Sequence, residues 1–304
     1  MYWVTYKNGN YTVLLNTSNG TKIRYNNLDN FDPDRVESMD VKISNRCNHG
    51  CVFCHENSHG YGAIAAIQDV AEFASTLPPY TEIALGGGNL LEPEDITFTE
   101  ACLKVFQEAK AICSITVHQQ DFIDNFNYIQ HLINKGLVHG VGVSLHNCYD
   151  KKLWQYLDQM PNAVLHVIAG LLNSFDIGSI IEHKPKILIL GYKKVRRGYS
   201  YYNQVNDYIE WGLSLIKEKL PNLMANTEVC SFDNLAIEQL DLQNLLPEEE
   251  WEKYYMGDDG TTTFYVDLVD MQYAKSSTSN IRYVIQDNDA NIMFNHIRKE
   301  KNNE

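Results

Sequence analysis

The sequence predicts an α/β protein, a partial (β/α)6 barrel of the TIM type with a small N-terminal β element and a C-terminal α+β extension. Between Asp40 and Leu220, short apolar runs alternate six times with segments of helical periodicity. Such alternation calls for right-handed crossovers and a parallel sheet, and six units are two short of a closed barrel. Before residue 32 the pattern is instead a two-residue alternation broken by turns, and from Ala225 onward the regular strand–helix order lapses. The expected divisions are therefore 1–32 for the β element, 38–222 for the barrel and 225–304 for a C-terminal α+β cap.

In residues 1–30, Tyr2, Val4 and Tyr6, then Tyr11, Val13 and Leu15, alternate with polar residues. Turns at Asn8-Gly9-Asn10 and Asn19-Gly20 make this a small antiparallel sheet, placed to cover one end of the barrel. Asp32-Pro33 ends it. Barrel strands are predicted over 40–44, 82–85, 112–117, 138–145, 163–168 and 186–190. The helices between them are predicted over 63–77, 98–110, 122–134, 151–159 and 175–181, with a long one over 201–220. Pro78-Pro79 stops the first helix, Gly136 caps the third and Pro221 closes the last. In the extension, 228–232 reads as strand, 235–245 as helix and 261–269 as strand. Residues 276–279 read as loop and 281–285 as a short strand, and the polar tail after Ile297 is expected to fray.

The 304 residues are 44% hydrophobic, enough for a large core. No apolar run approaches the ~20 residues that span a bilayer, so no membrane partner is expected. Met1-Tyr2-Trp3-Val4-Thr5-Tyr6-Lys7 lacks the layout of a secretory signal. Seven cysteines, an odd number with three clustered, argue against a disulfide framework and for a reducing, cytoplasmic setting. A net charge of −14 and a pI near 5.1 repel phosphate backbones, so no long nucleic acid is expected as a partner. Neither a phosphate-binding Gly-x-x-x-x-Gly-Lys loop nor a His-Glu-x-x-His helix occurs.

The chemistry concentrates in Cys47-Asn48-His49-Gly50-Cys51-Val52-Phe53-Cys54, directly after the first barrel strand. Three thiols at this spacing can wrap one compact metal centre. A zinc site would need a fourth ligand, which His49 or His55 offers, whereas a cubane would keep one iron without a protein ligand. The pattern, with an aromatic residue just before the last cysteine, resembles the signature of radical S-adenosylmethionine (SAM) enzymes. That resemblance implies a partial barrel and a [4Fe–4S] cluster on Cys47, Cys51 and Cys54, whose open iron chelates SAM. It also implies reductive SAM cleavage and hydrogen abstraction from a small-molecule, nucleoside or peptide substrate. The electron would come from an external flavodoxin- or ferredoxin-like donor. The alternative is a non-catalytic iron–sulfur or zinc-binding protein with an electron-transfer or regulatory role.

Ligands of parallel α/β folds gather at the carboxyl ends of strands. That rule selects Phe53 in the cysteine loop, Gly86, Gly87, Gly88 and Asn89 after the second strand, and His118-Gln119 after the third. It also selects Ser144 and His146 at the fourth, and Leu190, Tyr192 and Lys193 at the sixth. In the family the glycine run often reads Gly-Gly-Glu-Pro and contacts the SAM amino group, and here Gly88 stands where the acid would be. His55 and Glu56 follow the last clustered cysteine, and Lys193-Lys194-Val195-Arg196-Arg197 is the densest basic run, placed to hold a carboxylate or phosphate. Cys102, Cys113, Cys148 and Cys230 are expected to be small buried residues. With only Cys230 beyond Ala225, the extension cannot ligate a second cluster by itself.

Overall fold

The computed structural model describes residues 2–28 and 30–301. Met1, Asp29 and 302–304, which the predicted β element and C-terminal tail include, lie outside the described residues. Strands β1 (Trp3–Asn8), β2 (Tyr11–Asn16) and β3 (Lys22–Tyr25) form the predicted antiparallel sheet. Tyr11, Val13 and Leu15 on its inner face are fully buried and pack with Tyr80 and Ile112, at the amino ends of the next strands. The sheet therefore covers the end of the barrel opposite the cysteine loop.

The barrel strands are β4 (Ser38–Ser44), β5 (Glu82–Gly87), β6 (Ile112–His118), β7 (Gly140–Ser144), β8 (Ala163–Ile168) and β9 (Lys186–Leu190). Each pairs in parallel with the next. Helices α1 (Ile67–Ser75), α2 (Ile96–Glu108), α3 (Gln119–Asp124), α4 (Phe126–Asn134), α5 (Lys151–Gln159) and α6 (Ser174–His183) connect them. The segment from 225 then adds a parallel strand to each side: β10 (Val229–Phe232) beside β9 and β11 (Thr263–Asp267) beside β4. With the antiparallel β12 (Gln272–Ala274) and β13 (Tyr283–Val284), the sheet has ten strands and does not close on itself. Met39, Val41 and Ile43, with their counterparts on neighbouring strands, face the helices and form one continuous core. No described helix is long and apolar enough to cross a membrane.

Several boundaries differ from the sequence pattern for identifiable reasons. Residues 63–66 stay extended because Asn45 donates to the Ala63 carbonyl at 2.8 Å and Ala65 to that of Ile43 at 2.9 Å, so α1 begins at Ile67. Asn125 leaves helical torsions (φ −108°, ψ 19°) and splits the third helix into α3 and α4. Helix α7 (Arg196–Asn226) starts five residues before the predicted 201, kinks at Val205 and runs through Pro221. Burying Leu220 and Leu223 in the last turns helps offset the ~3 kcal/mol that an internal proline costs. Helix α8 (Asn234–Leu240) stops at Asp241, whose φ of 57° is left-handed, and a 3-10 turn over Leu242–Asn244 replaces the rest of the predicted helix. After α9 (Glu248–Tyr254), α10 (Ala290–Lys301) continues helically past Ile297, where fraying was predicted.

A buried carboxylate fastens the N-terminal sheet to the barrel. Glu37 receives Arg24 at 2.8 Å, Lys22 at 3.2 Å and Asn8 at 3.1 Å, as well as the Tyr11 hydroxyl. Burial alone would raise its pKa, but these partners outweigh burial and hold the carboxyl below its ordinary range. A carboxyl held low in the folded state adds stability above the unfolded value of ~4.3, and loses it as pH falls through the lower folded value. Glu37→Ala should therefore cost about 3–5 kcal/mol at pH 7. Denaturant melts at several pH values should show the gap to the parent narrowing below about pH 4, and a gap independent of pH would contradict this role.

Candidate functional site

At the end of β4 the chain bulges between Lys42 and Ser44 and enters the cysteine loop. Backbone bonds pinch the loop at its base: Cys47 donates to the His59 carbonyl at 3.1 Å and His59 to that of Asn45 at 3.0 Å. Gly50, at φ +63°, turns the chain between Cys47 and Cys51, and Cys54 donates back to the Cys51 carbonyl at 3.2 Å. All three thiols are free and half-buried. Burial, then the neighbouring Cys54 and Cys47, push the Cys51 thiol up to about 11, and burial raises Cys47 as well. Metal-free, the Cys47 and Cys51 thiols hold protons at neutral pH that metal loading would release.

The glycine run serves this loop more than it serves open space. A Cβ on Gly88 would stand 2.1 Å from the Arg46 carbonyl oxygen, and one on Gly87 (φ +108°) 2.3 Å from that of Ser44. The Gly88 and Asn89 N–H groups are already donated to the Ser44 and Arg46 carbonyls, at 2.6 and 2.7 Å. Asn89 turns its side-chain carbonyl to the Leu91 N–H and its amide toward His49. Gly86 alone of the run has nothing within 4 Å of the position a Cβ would take.

The loop lies over the ends of β6 and β7. His49, paired with Asp121, stacks on His118 with ring centroids 3.8 Å apart, and His118 meets His146 at 3.8 Å. Phe53 closes this column at 5.8 Å from His146. Ring nitrogens of His118 and His146 lie within 4.8 Å of the Cys51 sulfur and of each other. Burial, then the nearby His146, push His118 down to about 3, so its ring is neutral at pH 7. His118 also accepts from the Gln120 N–H at the start of α3, and Gln119 accepts from the His146 and Asn147 N–H groups at 2.9 Å. Ser144 lies beside His118 in register.

The predicted basic run does not form a free anion patch. Lys194 pairs with Glu210 at 3.1 Å and covers the Tyr202 ring. Arg196 donates to the His55 carbonyl at 2.8 Å and pairs with Glu56, while Arg197 donates to the Ser58 carbonyl. These two arginines bolt the trailing side of the cysteine loop to α7. Lys193 stands apart from them, 3.0 Å from the Ser277 hydroxyl and 3.4 Å from His55. Tyr192 is buried, its hydroxyl donated to the Gly198 carbonyl at 2.8 Å, and half-buried Leu190 ends β9.

Pattern reading did not assign roles to Lys42, Asp267 and Tyr265. Lys42, buried on the inner face of β4, pairs with Asp267 at 2.7 Å and Glu56 at 3.4 Å, and the Tyr265 hydroxyl donates to Glu56 at 3.2 Å. Burial would raise Glu56, but His55, Lys42 and Arg196 hold its carboxyl far below the ordinary range. The missed signal lies in Asp40-Val41-Lys42-Ile43-Ser44. Charges at alternate positions of a central parallel strand, which is usually apolar on both faces, mark a polar lumen.

No family model matches the chain, and no curated protein matches its sequence. Solved structures do match in fold. SuiB of Streptococcus suis bound to S-adenosylmethionine is 12% identical, with 98% of this chain and 89% of that one covered and a TM-score of 0.60. Native anSMEcpe with bound AdoMet is 14% identical over 86% of this chain and 82% of that one, with a TM-score of 0.56. The same protein with AdoMet and a Cp18Cys peptide is 10% identical, covering 86% and 81%, at 0.53. The predicted partial barrel is thus the fold these proteins share with this chain.

Replacing Gly88 with alanine should displace the cysteine loop, whereas Gly86→Ala should not. In metal-free protein the reactivity of Cys47, Cys51 and Cys54 toward a thiol reagent should rise several-fold in the first variant only. Equal reactivity in both would show that Gly88 does not set the loop.

Proposed function

We propose that this chain is a radical SAM enzyme in which Cys47, Cys51 and Cys54 hold a [4Fe–4S] cluster. The observation that carries the reading is three free thiols on one pinched loop, at the carboxyl end of the first strand of an open barrel. Thiolates are the donors such a cluster takes, and three of them leave one iron for another ligand. The shared fold of structures holding S-adenosylmethionine supports the same reading. Cluster and SAM together would supply the reductive carbon–sulfur cleavage that starts hydrogen abstraction.

The chain's own part is to position and enclose. Phe53, His118, Ser144 and Leu190 line the mouth beside the loop, and Gly86 leaves room for close backbone approach. Gly87, Gly88 and Asn89 act by setting the loop's path, and Tyr192 by fixing the start of α7. Lys193 offers an ammonium to a carboxylate at the mouth. Residues 225–301 wall the substrate side, with β11 beside the first barrel strand. The substrate is a small molecule, nucleoside or peptide, and a flavodoxin- or ferredoxin-like protein of the cytoplasm delivers the electron.

A second reading has its own observation, the nitrogens of His118 and His146 beside the Cys51 sulfur, a donor set that zinc also accepts. Anaerobic reconstitution separates the two. About four irons per chain and 5′-deoxyadenosine release on reduction are expected. Alanine at Cys47, Cys51 or Cys54 should abolish both, and Cys102→Ala, in the outer core, neither. Full iron loading in any of the first three variants, or bound zinc without SAM cleavage, would overturn the assignment.

A further inference from the structure

The first barrel strand carries a carboxylate that the fold itself does not use. Asp40 alternates with Met39 and Val41, which pack in the core, and shares the inner face of β4 with Lys42. It stands mid-strand, between Ala84 on β5 and Tyr265 on β11, yet its side chain is exposed. Exposure at the middle of a sheet's inner face means that the lumen is open to solvent down to that level. The neighbouring strands carry small residues at this level, Ala84 and Ser114, and the His166 ring fills the space that a side chain at Gly142 would take.

The other charged groups that face Asp40 have partners. Lys193 bonds Ser277, and Asp259 accepts from Asn234 at 2.7 Å. Asp233 accepts from the Gly191 and Ala236 N–H groups, and Glu56 sits among Lys42, Arg196 and Tyr265. Asp40 makes no hydrogen bond or ion pair among the described residues. Burial pushes its carboxyl above the usual range; Lys193 pulls it down, and Asp259, Glu56 and Asp233 push it up. The surrounding protein leaves this carboxylate open to the solvent of the lumen, so a ligand can reach it without displacing a protein partner.

We propose that Asp40 is a substrate-binding residue that receives a positively charged nitrogen, an ammonium or guanidinium, inside the lumen. This rests on the lumen being the substrate chamber of the reading above. Asp40, Glu56, Asp233, Asp259 and Asp267 face Lys42, Lys193, Arg196 and Lys275, five carboxylates to four cations, and this one excess negative charge favours a cation at Asp40, which has no partner among the described residues. Four residues, ~13 Å of strand, separate Asp40 from the end where the cysteine loop begins. The anchored nitrogen would lie deep, with the rest of the substrate reaching up toward the loop.

Binding of butylammonium and butylguanidinium to the reconstituted full chain tests this, with butanol and butyrate as controls and iron content measured on each sample. Both cations should bind more tightly than the controls. Asp40→Asn should weaken them tenfold or more and leave the melting temperature unchanged or higher, and Asp40→Glu should keep affinity within a few-fold. Equal cation affinity in Asp40→Asn, no preference over butanol, or a lowered melting temperature in that variant would overturn the proposal. Absent iron in the parent counts against the enzyme reading instead, and the cation data still decide the role of Asp40.

Discussion

The upper end of the barrel depends on one buried ammonium. Lys42 is 2% exposed and lies between Glu56, just past the last clustered cysteine, and Asp267 at the end of β11. A charge taken out of water is costly unless it is paired and hydrogen-bonded, and removing one partner strands the others. The pairing is also directional, so it fixes the trailing side of the cysteine loop against β4 in one position, where apolar contact would allow sliding. Arg196 and Arg197 add a second anchor from α7. Loop, first strand, α7 and the C-terminal segment are thereby one mechanical unit, which is why the region after 225 is bound into the barrel rather than laid on it.

The same inner face explains why this barrel has a chamber. Closed barrels of eight parallel strands fill their interior with layers of large branched side chains. On β4, β5 and β6 the corresponding positions include Asp40, Lys42, Ala84, Gly86 and Ser114, which are charged or too small to meet across the centre. The sheet also stops short of closure, with β10 at one edge and β13 at the other. An open, polar interior beneath a three-thiol loop suits chemistry on a molecule held inside.

Much of this was legible in the sequence because its signals are local. Apolar runs and their spacing placed the six strands from 40 to 190, and turn residues placed the N-terminal sheet. The cysteine loop was visible because three thiols in eight residues have few other uses. What the sequence hid is long-range. Nothing local pairs Lys42 with Asp267, 225 residues away, or shows that 229–232 and 263–267 would join opposite sides of one sheet. The glycine run read as an opening for a ligand, yet Gly87 and Gly88 are needed because another stretch of backbone lies against them. The basic run read as an anion patch, and two of its arginines hold carbonyls of the cysteine loop instead.

Electron paramagnetic resonance of the reconstituted, reduced protein, recorded before and after adding SAM, tests the cubane with an open iron most directly. A half-integer-spin iron–sulfur signal whose g-values shift on SAM addition is the predicted result. A zinc-loaded protein with no signal, or a signal that SAM leaves unchanged, would contradict it.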